Sequence, residues 1–293
     1  MNVYVVLLIQ LMIAGGTHIV AKAVVATVDP AILTFLRSLL STAGLLTILL
    51  VRRRTPRIER QDWPKFIWLG FLGIPVNQFF YLHGLSFSTA ANGALLYATT
   101  PVFVLLLSRF MLGEQITTAK TSGILLAFFG VSVVIFERGL DFSSEFTYGN
   151  IMIIVAVAAW GLFTIHGKQM VLKYGAVQTT SIAMTIGMML FFPFGLYATS
   201  GFSFHSLSVL HWAGIVYLGL GTSVFGYMLW YYALGRIEAG KVAVFSNGQP
   251  IFATVLALVF LDYRITGAFV VGGIMTLGGV LLTQKASRPT SLR

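Results

Sequence analysis

The sequence predicts an all-α integral membrane protein, and three observations predict it: an apolar composition, apolar runs of spanning length, and little charge within those runs. Hydrophobic residues make up 57% of the 293-residue chain, charged residues 10%, and mean hydropathy is +0.87. Soluble chains average about 45–50% apolar and about 25% charged. A soluble domain of this length must still coat itself with polar groups, so lipid is the solvent for most of this surface. Backbone polar groups in hydrocarbon must be satisfied internally, which leaves helices or a closed barrel. Barrel strands alternate apolar and polar residues, whereas these runs are apolar over roughly 20 consecutive residues.

Ten transmembrane helices are predicted, at residues 3–26, 30–51, 66–86, 91–112, 118–137, 148–168, 178–199, 212–234, 239–261 and 266–284. Basic residues orient them. The loop after the second run holds Arg52, Arg53, Arg54, Arg57, Arg60 and Lys65, and an excess of Lys and Arg marks cytoplasmic loops. With that loop inside, both termini are cytoplasmic and fifteen of the nineteen Lys and Arg sit at inner ends. Only Arg138 and Arg264 fall outside. The net charge of +10 therefore reads as membrane topology, not as a nucleic-acid surface. The chain has no cysteine, which excludes disulfides and thiolate metal sites. Met1–Asn2 lead straight into apolar sequence with no cleavage motif, which predicts a retained first helix and not a signal peptide; the membrane expected for the chain is a bacterial-type inner (plasma) membrane.

The chain also repeats itself. Adding 149 to a first-half number lands on a matching residue: Leu85 on Leu234, Pro101 on Pro250, Thr117 on Thr266, Gly123 on Gly272, Gly130 on Gly279. Five spans per half is an odd number, so the second copy runs inverted. Residues 1–140 and 146–287 are predicted as the two halves of a 5+5 inverted repeat. Many secondary transporters have that layout, with the solute site at the repeat interface; a duplicated structural scaffold is the alternative.

The strings TTPVFVLLLSRFMLGEQIT (99–117) and NGQPIFATVLALVFLDYRIT (247–266) resemble the paired helix-four and helix-nine signature of the drug/metabolite transporter superfamily, EamA type. GGTHIVAK (15–22), FLRSLLS (35–41) and YGNIMIIVAVAAWGLFTIHGK (148–168) are similar to its first, second and sixth helices. The resemblance covers essentially the whole chain and rests on the order of these motifs. Two positions depart from it: Gly113–Glu114 has Asp262–Tyr263 as its counterpart, and Gly15 stands where Trp is often seen. The resemblance implies ten helices in a 5+5 inverted repeat and export of small metabolites, with amino acids, drugs, nucleosides and sugar conjugates among the family's substrates.

Pro101 and Pro250 fall near the middles of their spans and are the predicted hinges. Neither donates to the carbonyl four residues earlier, that of Tyr97 or Ser246. Freed carbonyls at membrane depth are tolerated where they line a cavity or face another helix. Beside them lie Tyr97 and Thr100 in one copy, and Ser246, Asn247 and Gln249 in the other. A substrate-binding site or an interhelical polar clamp accounts for such a cluster. Asn77, Gln78 and Tyr81 on the third span, Trp160 on the sixth, and Tyr227 and Tyr231 on the eighth suit the wall of the same pocket. Trp230 to Tyr232 suit interfacial anchors equally well.

Intramembrane charge is scarce. All nine acidic residues fall in loops or at span ends, so no carboxylate relay for protons is predicted. His18 and His83 read as hydrogen-bonded packing residues, with a proton relay as the alternative. Lys22 is expected to snorkel. Arg37 lies about 6 Å from the centre of its span at 1.5 Å per residue. It either meets a solute carboxylate or phosphate, or holds a structural bond to a carbonyl. There is no metal-spaced His cluster, no buried carboxylate pair and no Gly-rich phosphate loop, so no catalytic residue, metal or cofactor is predicted. The partners expected are a small-molecule substrate and the lipid bilayer, with monomer and homodimer both open. The reading is a carrier of amino acids or related amphipathic solutes. A polytopic enzyme acting on lipid, or a carrier of anionic metabolites using Arg37, are the alternatives.

Overall fold

A computed structural model describes residues 2–52, 57–136, 144–249, 251–252 and 266–285, and every regular element in them is helical. Helix α1 (Val3–Val25) begins where the Asn2 side chain accepts from the Tyr4 amide at 2.9 Å. Helix α2 (Pro30–Val51) is capped by Asp29, which accepts from the Ala31 amide at 2.7 Å. Pro30 sits in its first turn, where a missing N–H is no loss. Helix α3 (Trp63–Phe71), a π-helical segment (Leu72–Gln78) and α4 (Phe79–Phe87) form one interrupted rod. Pro75 lies inside that π segment; it withholds an amide donor, and the wider π turn absorbs the break. Helices α5 (Ala90–Tyr97) and α6 (Thr100–Leu112) part at Ala98–Thr99, with Pro101 in the first turn of α6.

Helices α7 (Thr118–Phe136), α8 (Ser144–Tyr174) and α9 (Ala176–Ala198) follow. Helix α10 (Val209–Val216), a second π segment (Tyr217–Gly226) and α11 (Tyr227–Leu234) make another interrupted rod. Helix α12 (Ala239–Ala243) passes into a 3₁₀ segment (Val244–Gly248), and α13 spans Gly267–Lys285. Pro250, the other expected hinge, lies outside the described residues.

Six helices among the described residues are long and apolar enough to cross a membrane: Val3–Val25, Pro30–Val51, Gly93–Leu112, Thr147–Tyr174, Ala176–Ala198 and Val209–Leu234. Shorter apolar helices cover Thr118–Val133 and Val270–Lys285. This is the all-helical, multi-pass architecture that the composition predicts. Two expectations change. The third and eighth runs are broken by π segments and are not plain helices. Helix α8 also continues past residue 168 to Tyr174, because its last turn is tied down: Lys173 Nζ and the Tyr174 hydroxyl reach Asp62 Oδ2 at 2.6 and 2.7 Å.

Close backbone approach decides how α7 meets α13. A Cβ on Gly130 would stand 2.6 Å from the Gly272 carbonyl oxygen, and one on Gly123 2.7 Å from that of Gly279. Only glycine permits that distance, the small-residue packing favoured in lipid. Thr276 Oγ1 donates to the Ala127 carbonyl at 3.3 Å across the same contact.

Ion pairs gather where segments 57–65, 113–120, 168–175 and 235–241 meet. Lys168 Nζ lies 2.8 Å from Glu114 Oε1, which also accepts from the Ala239 amide at 2.9 Å and so caps α12. Lys120 reaches Glu238 at 3.1 Å, and Lys173 reaches both Glu59 and Asp62 at 2.6 Å. Hydrogen bonds from Lys173, Lys65 and Tyr174 hold the Asp62 carboxyl far below the usual carboxylate range.

Candidate functional site

Between the rods lies a cavity of about 580 Å³, open space at its mouth included. Helix α1 supplies Gln10, Ile13, Ala14, Thr17 and His18, and α2 supplies Arg37. The first π segment supplies Asn77 and Gln78, α4 Tyr81, α5 Tyr97 and α8 Trp160. The second π segment adds Thr222 and Gly226, α11 adds Tyr227 and Trp230, and Ser246 and Gln249 complete the lining. Both π segments thus end on the cavity, as such irregular turns often do at functional sites.

Neutral hydrogen bonds hold the walls. His18 Nδ1 lies 2.6 Å from the Tyr81 hydroxyl and Nε2 3.0 Å from Gln249 Oε1. With Gln249 presenting its oxygen, Nε2 carries the proton and Nδ1 accepts from Tyr81. Thr17 and Thr222 share a hydroxyl contact of 2.8 Å between α1 and the second π segment. Asn77 Nδ2 donates to the Tyr97 hydroxyl at 2.7 Å and to the Ala156 carbonyl at 2.8 Å. Gln78 Nε2 makes looser contacts, 3.4 Å to the Tyr227 hydroxyl and 3.5 Å to Ser223 Oγ. Arg37 Nε donates to that same Ser223 oxygen at 2.8 Å.

Aromatic rings close one side. Trp160 packs on Tyr227 with centroids 4.9 Å apart and on Trp230 at 5.6 Å. Tyr81 meets Tyr97 edge-on at 5.0 Å. Among the described residues none that lines the cavity is acidic, and no His, Cys, Asp and Glu group could hold a metal ion.

The structure brings together eight of the expected residues, Asn77, Gln78, Tyr81, Tyr97, Trp160, Tyr227, Ser246 and Gln249, with His18 and Arg37 among them. Three others do not line the cavity. Thr100 is fully buried at the start of α6, its hydroxyl without a partner among the described residues. Tyr231 turns away to donate to the Phe163 carbonyl at 3.1 Å. Asn247 is fully buried, and neither amide atom has a partner among the described residues. Lys22, half-buried, donates from Nζ to the carbonyls of Leu85 at 3.0 Å and Ser86 at 3.4 Å, at the end of α4 where helical partners run out. His83 sits apart from the cavity, stacked on Phe79 and 3.2 Å from the Tyr148 hydroxyl.

The EamA-like transporter family matches the chain over residues 1–136 and again over 147–284. The chain belongs to that family. An uncharacterized transporter of Archaeoglobus fulgidus is 30% identical over 285 residues, covering 96% of each chain. The uncharacterized transporter YetK of Bacillus subtilis is 28% identical, covering 97% of this chain and 87% of its own. A probable terminal-alkyne amino-acid exporter of Streptantibioticus cattleyicolor is 28% identical over 79% of this chain and 76% of its own. A solved crystal structure superposes with a TM-score of 0.79 over 99% of both chains at 20% identity, which speaks to fold alone. Family and relatives are transporters, not enzymes.

In this EamA-like transporter the sequence reading missed Gln10, Ile13, Ala14, Thr17 and Gly226, and left Trp230 between wall and anchor. Trp230 is 1% exposed and donates from Nε1 to Thr164 Oγ1 at 3.2 Å, so it is wall. Gln10 carried a readable signal, a lone amide between the apolar stretches 5–9 and 11–14 of α1. Gly226 carried none, since its place in the lining depends on the π turn before Tyr227.

Proposed function

We propose that this EamA-like transporter moves small amphipathic metabolites, amino acids and their relatives foremost, across the inner membrane by alternating access. The cavity carries the reading: amides and hydroxyls converge from both halves of the chain over an aromatic wall. Residues 1–140 and 146–287 act as inverted five-helix repeats, ten spans in all, with both termini cytoplasmic. Contacts 149 positions apart support the repeat, Gln78 meeting Tyr227 and Thr276 meeting Ala127. So does the α7–α13 crossing: Gly123–Gly279 and Gly130–Gly272 exchange under the same offset, as an internal two-fold requires. The relative named as a probable amino-acid exporter supports the solute class and the outward direction. The breaks at Ala98–Thr99 and in the 3₁₀ segment before Pro250 serve as the hinges.

With no acidic residue in the lining among the described residues, the carrier runs by exchange or facilitated diffusion. Purified protein in liposomes tests this with labelled amino acids, with and without solute inside and with an imposed pH gradient. Uptake is expected to rise with internal solute and to ignore the pH gradient. Accumulation that depends on the proton gradient would assign His18 a relay role, and absence of flux for every such solute would sink the reading. Sidedness has its own check: Arg57→Cys and Ser203→Cys, in a chain without cysteine, should label from opposite faces.

A further inference from the structure

We infer that the cavity recognises its solute by a single carboxylate, held by Arg37, and does not read the solute's ammonium. The inference rests on the carrier reading above and names what its site selects.

Arg37 is 2% exposed yet borders the cavity. Among the described residues it donates from Nε to Ser223 Oγ at 2.8 Å and hydrogen-bonds to the Tyr227 hydroxyl, so its partners there are neutral. Every ion pair among the described residues lies elsewhere, on Lys65, Lys120, Lys168 and Lys173. A guanidinium has five N–H donors in a planar fork. Buried without an anion, it is costly, and a carboxylate binding two N–H groups in parallel is its best-matched partner. Ser223 fixes the Nε edge of the fork, because its hydroxyl donates onward to the Leu218 carbonyl at 3.0 Å and so turns a lone pair to Arg37. Gln78 stands beside it with loose donor contacts and an Oε1 that has no partner among the described residues, ready to shift onto an incoming oxygen.

The rest of the lining explains the indifference to ammonium. Among the described residues it offers a cation no carboxylate, but amides, hydroxyls and the faces of Trp160 and Tyr227, while Arg37 repels it. One cation also neutralises only one charge, so a monocarboxylate fits and a doubly charged phosphate ester does not.

Three probes of one shape separate the groups: phenyllactate has the carboxylate alone, phenylalaninol the ammonium alone, and phenylalanine both. Titration on purified full-length protein should give similar affinities for the two acids and much weaker binding of phenylalaninol. A charge-assisted hydrogen bond contributes about 1.5–3 kcal/mol, so Arg37→Gln should weaken both acids about 10- to 150-fold while leaving phenylalaninol unchanged. Ser223→Ala keeps the charge, frees the fork, and should give a smaller loss in the same direction, which covers failure of the first variant to fold. Phenylalaninol binding as tightly as phenyllactate, or unchanged acid binding in a folded Arg37→Gln, overturns the inference and leaves the carrier reading intact. Failure of both acids to bind the parent protein overturns it too. Unchanged binding of all three in Trp160→Ala, a variant of the cavity wall, would place the site elsewhere and remove both.

Discussion

At the ion-paired end, Lys65, Lys120, Lys168 and Lys173 each hold a carboxylate at 3.1 Å or less, whereas in the cavity Arg37 holds none among the described residues. The cavity's other polar groups bond to hydroxyls, amides and backbone carbonyls. Desolvation explains the contrast. At the end of the bundle most pairs keep one partner partly in water, Lys65 at 51%, Lys173 at 37% and Glu238 at 23% exposed, so pairing costs less there and ties loops together; Lys168–Glu114 is the more buried exception. A charge pair at the centre would satisfy itself, at high desolvation cost, and leave nothing for a solute. Neutral bonds fix the walls there and keep one cation available.

The largest expected effect tests the tied end. Glu114→Ala strands Lys168, 13% exposed, and removes the cap of α12. Breaking a buried pair from one side costs about 3 kcal/mol at the low end of the known range. The thermal midpoint in detergent should fall by several degrees, and adding Lys168→Ala should restore part of it. A single variant that melts with the parent would break the comparison.

Next comes the cavity wall. Gln249→Leu leaves the His18 Nε2–H without its acceptor. A lost buried partner costs about 1–3 kcal/mol, or roughly 5- to 150-fold in solute affinity by titration. Asn247→Ala, outside the lining, should leave affinity unchanged. Equal losses in both would mean that the cavity lining does not define the site.

Acid separates the two regions more gently. The folded Asp62 carboxyl is held below its unfolded value, so its stabilisation is complete above the ordinary range, about pH 4. As pH falls below that, the unfolded chain takes a proton that folded Asp62 refuses, and stability declines. Asp62→Asn should flatten the fall of the melting midpoint below about pH 4. Smallest of all, Glu59→Gln removes one partner from the exposed Lys173 pair and should leave the midpoint where it was.

Several parts of this were readable in one dimension. Pro101 announced the break between α5 and α6 one turn ahead of itself, because a missing amide donor is a property of the residue. Asn77, Gln78 and Tyr227 stood out as polar or amphipathic side chains in apolar runs, and the cavity gathers all three. Tyr231 and Asn247 stood out for the same reason yet point elsewhere, since a helical repeat does not say which neighbour a face meets. The π segments escaped notice although Pro75 and the glycines at 219, 221 and 226 mark them, because several backbone solutions accommodate such residues.

Apolar run length, loop charge and motif order by themselves determined that this chain is a helical membrane protein of a transporter family, because lipid leaves the backbone so few choices. The partners were decided only by tertiary structure. Arg37 meets Ser223 across 186 positions and His18 meets Gln249 across 231. Glu114 caps a helix 125 residues away. Hydrophobicity acts on each segment separately, whereas these contacts depend on crossing geometry that close packing and two π turns impose together.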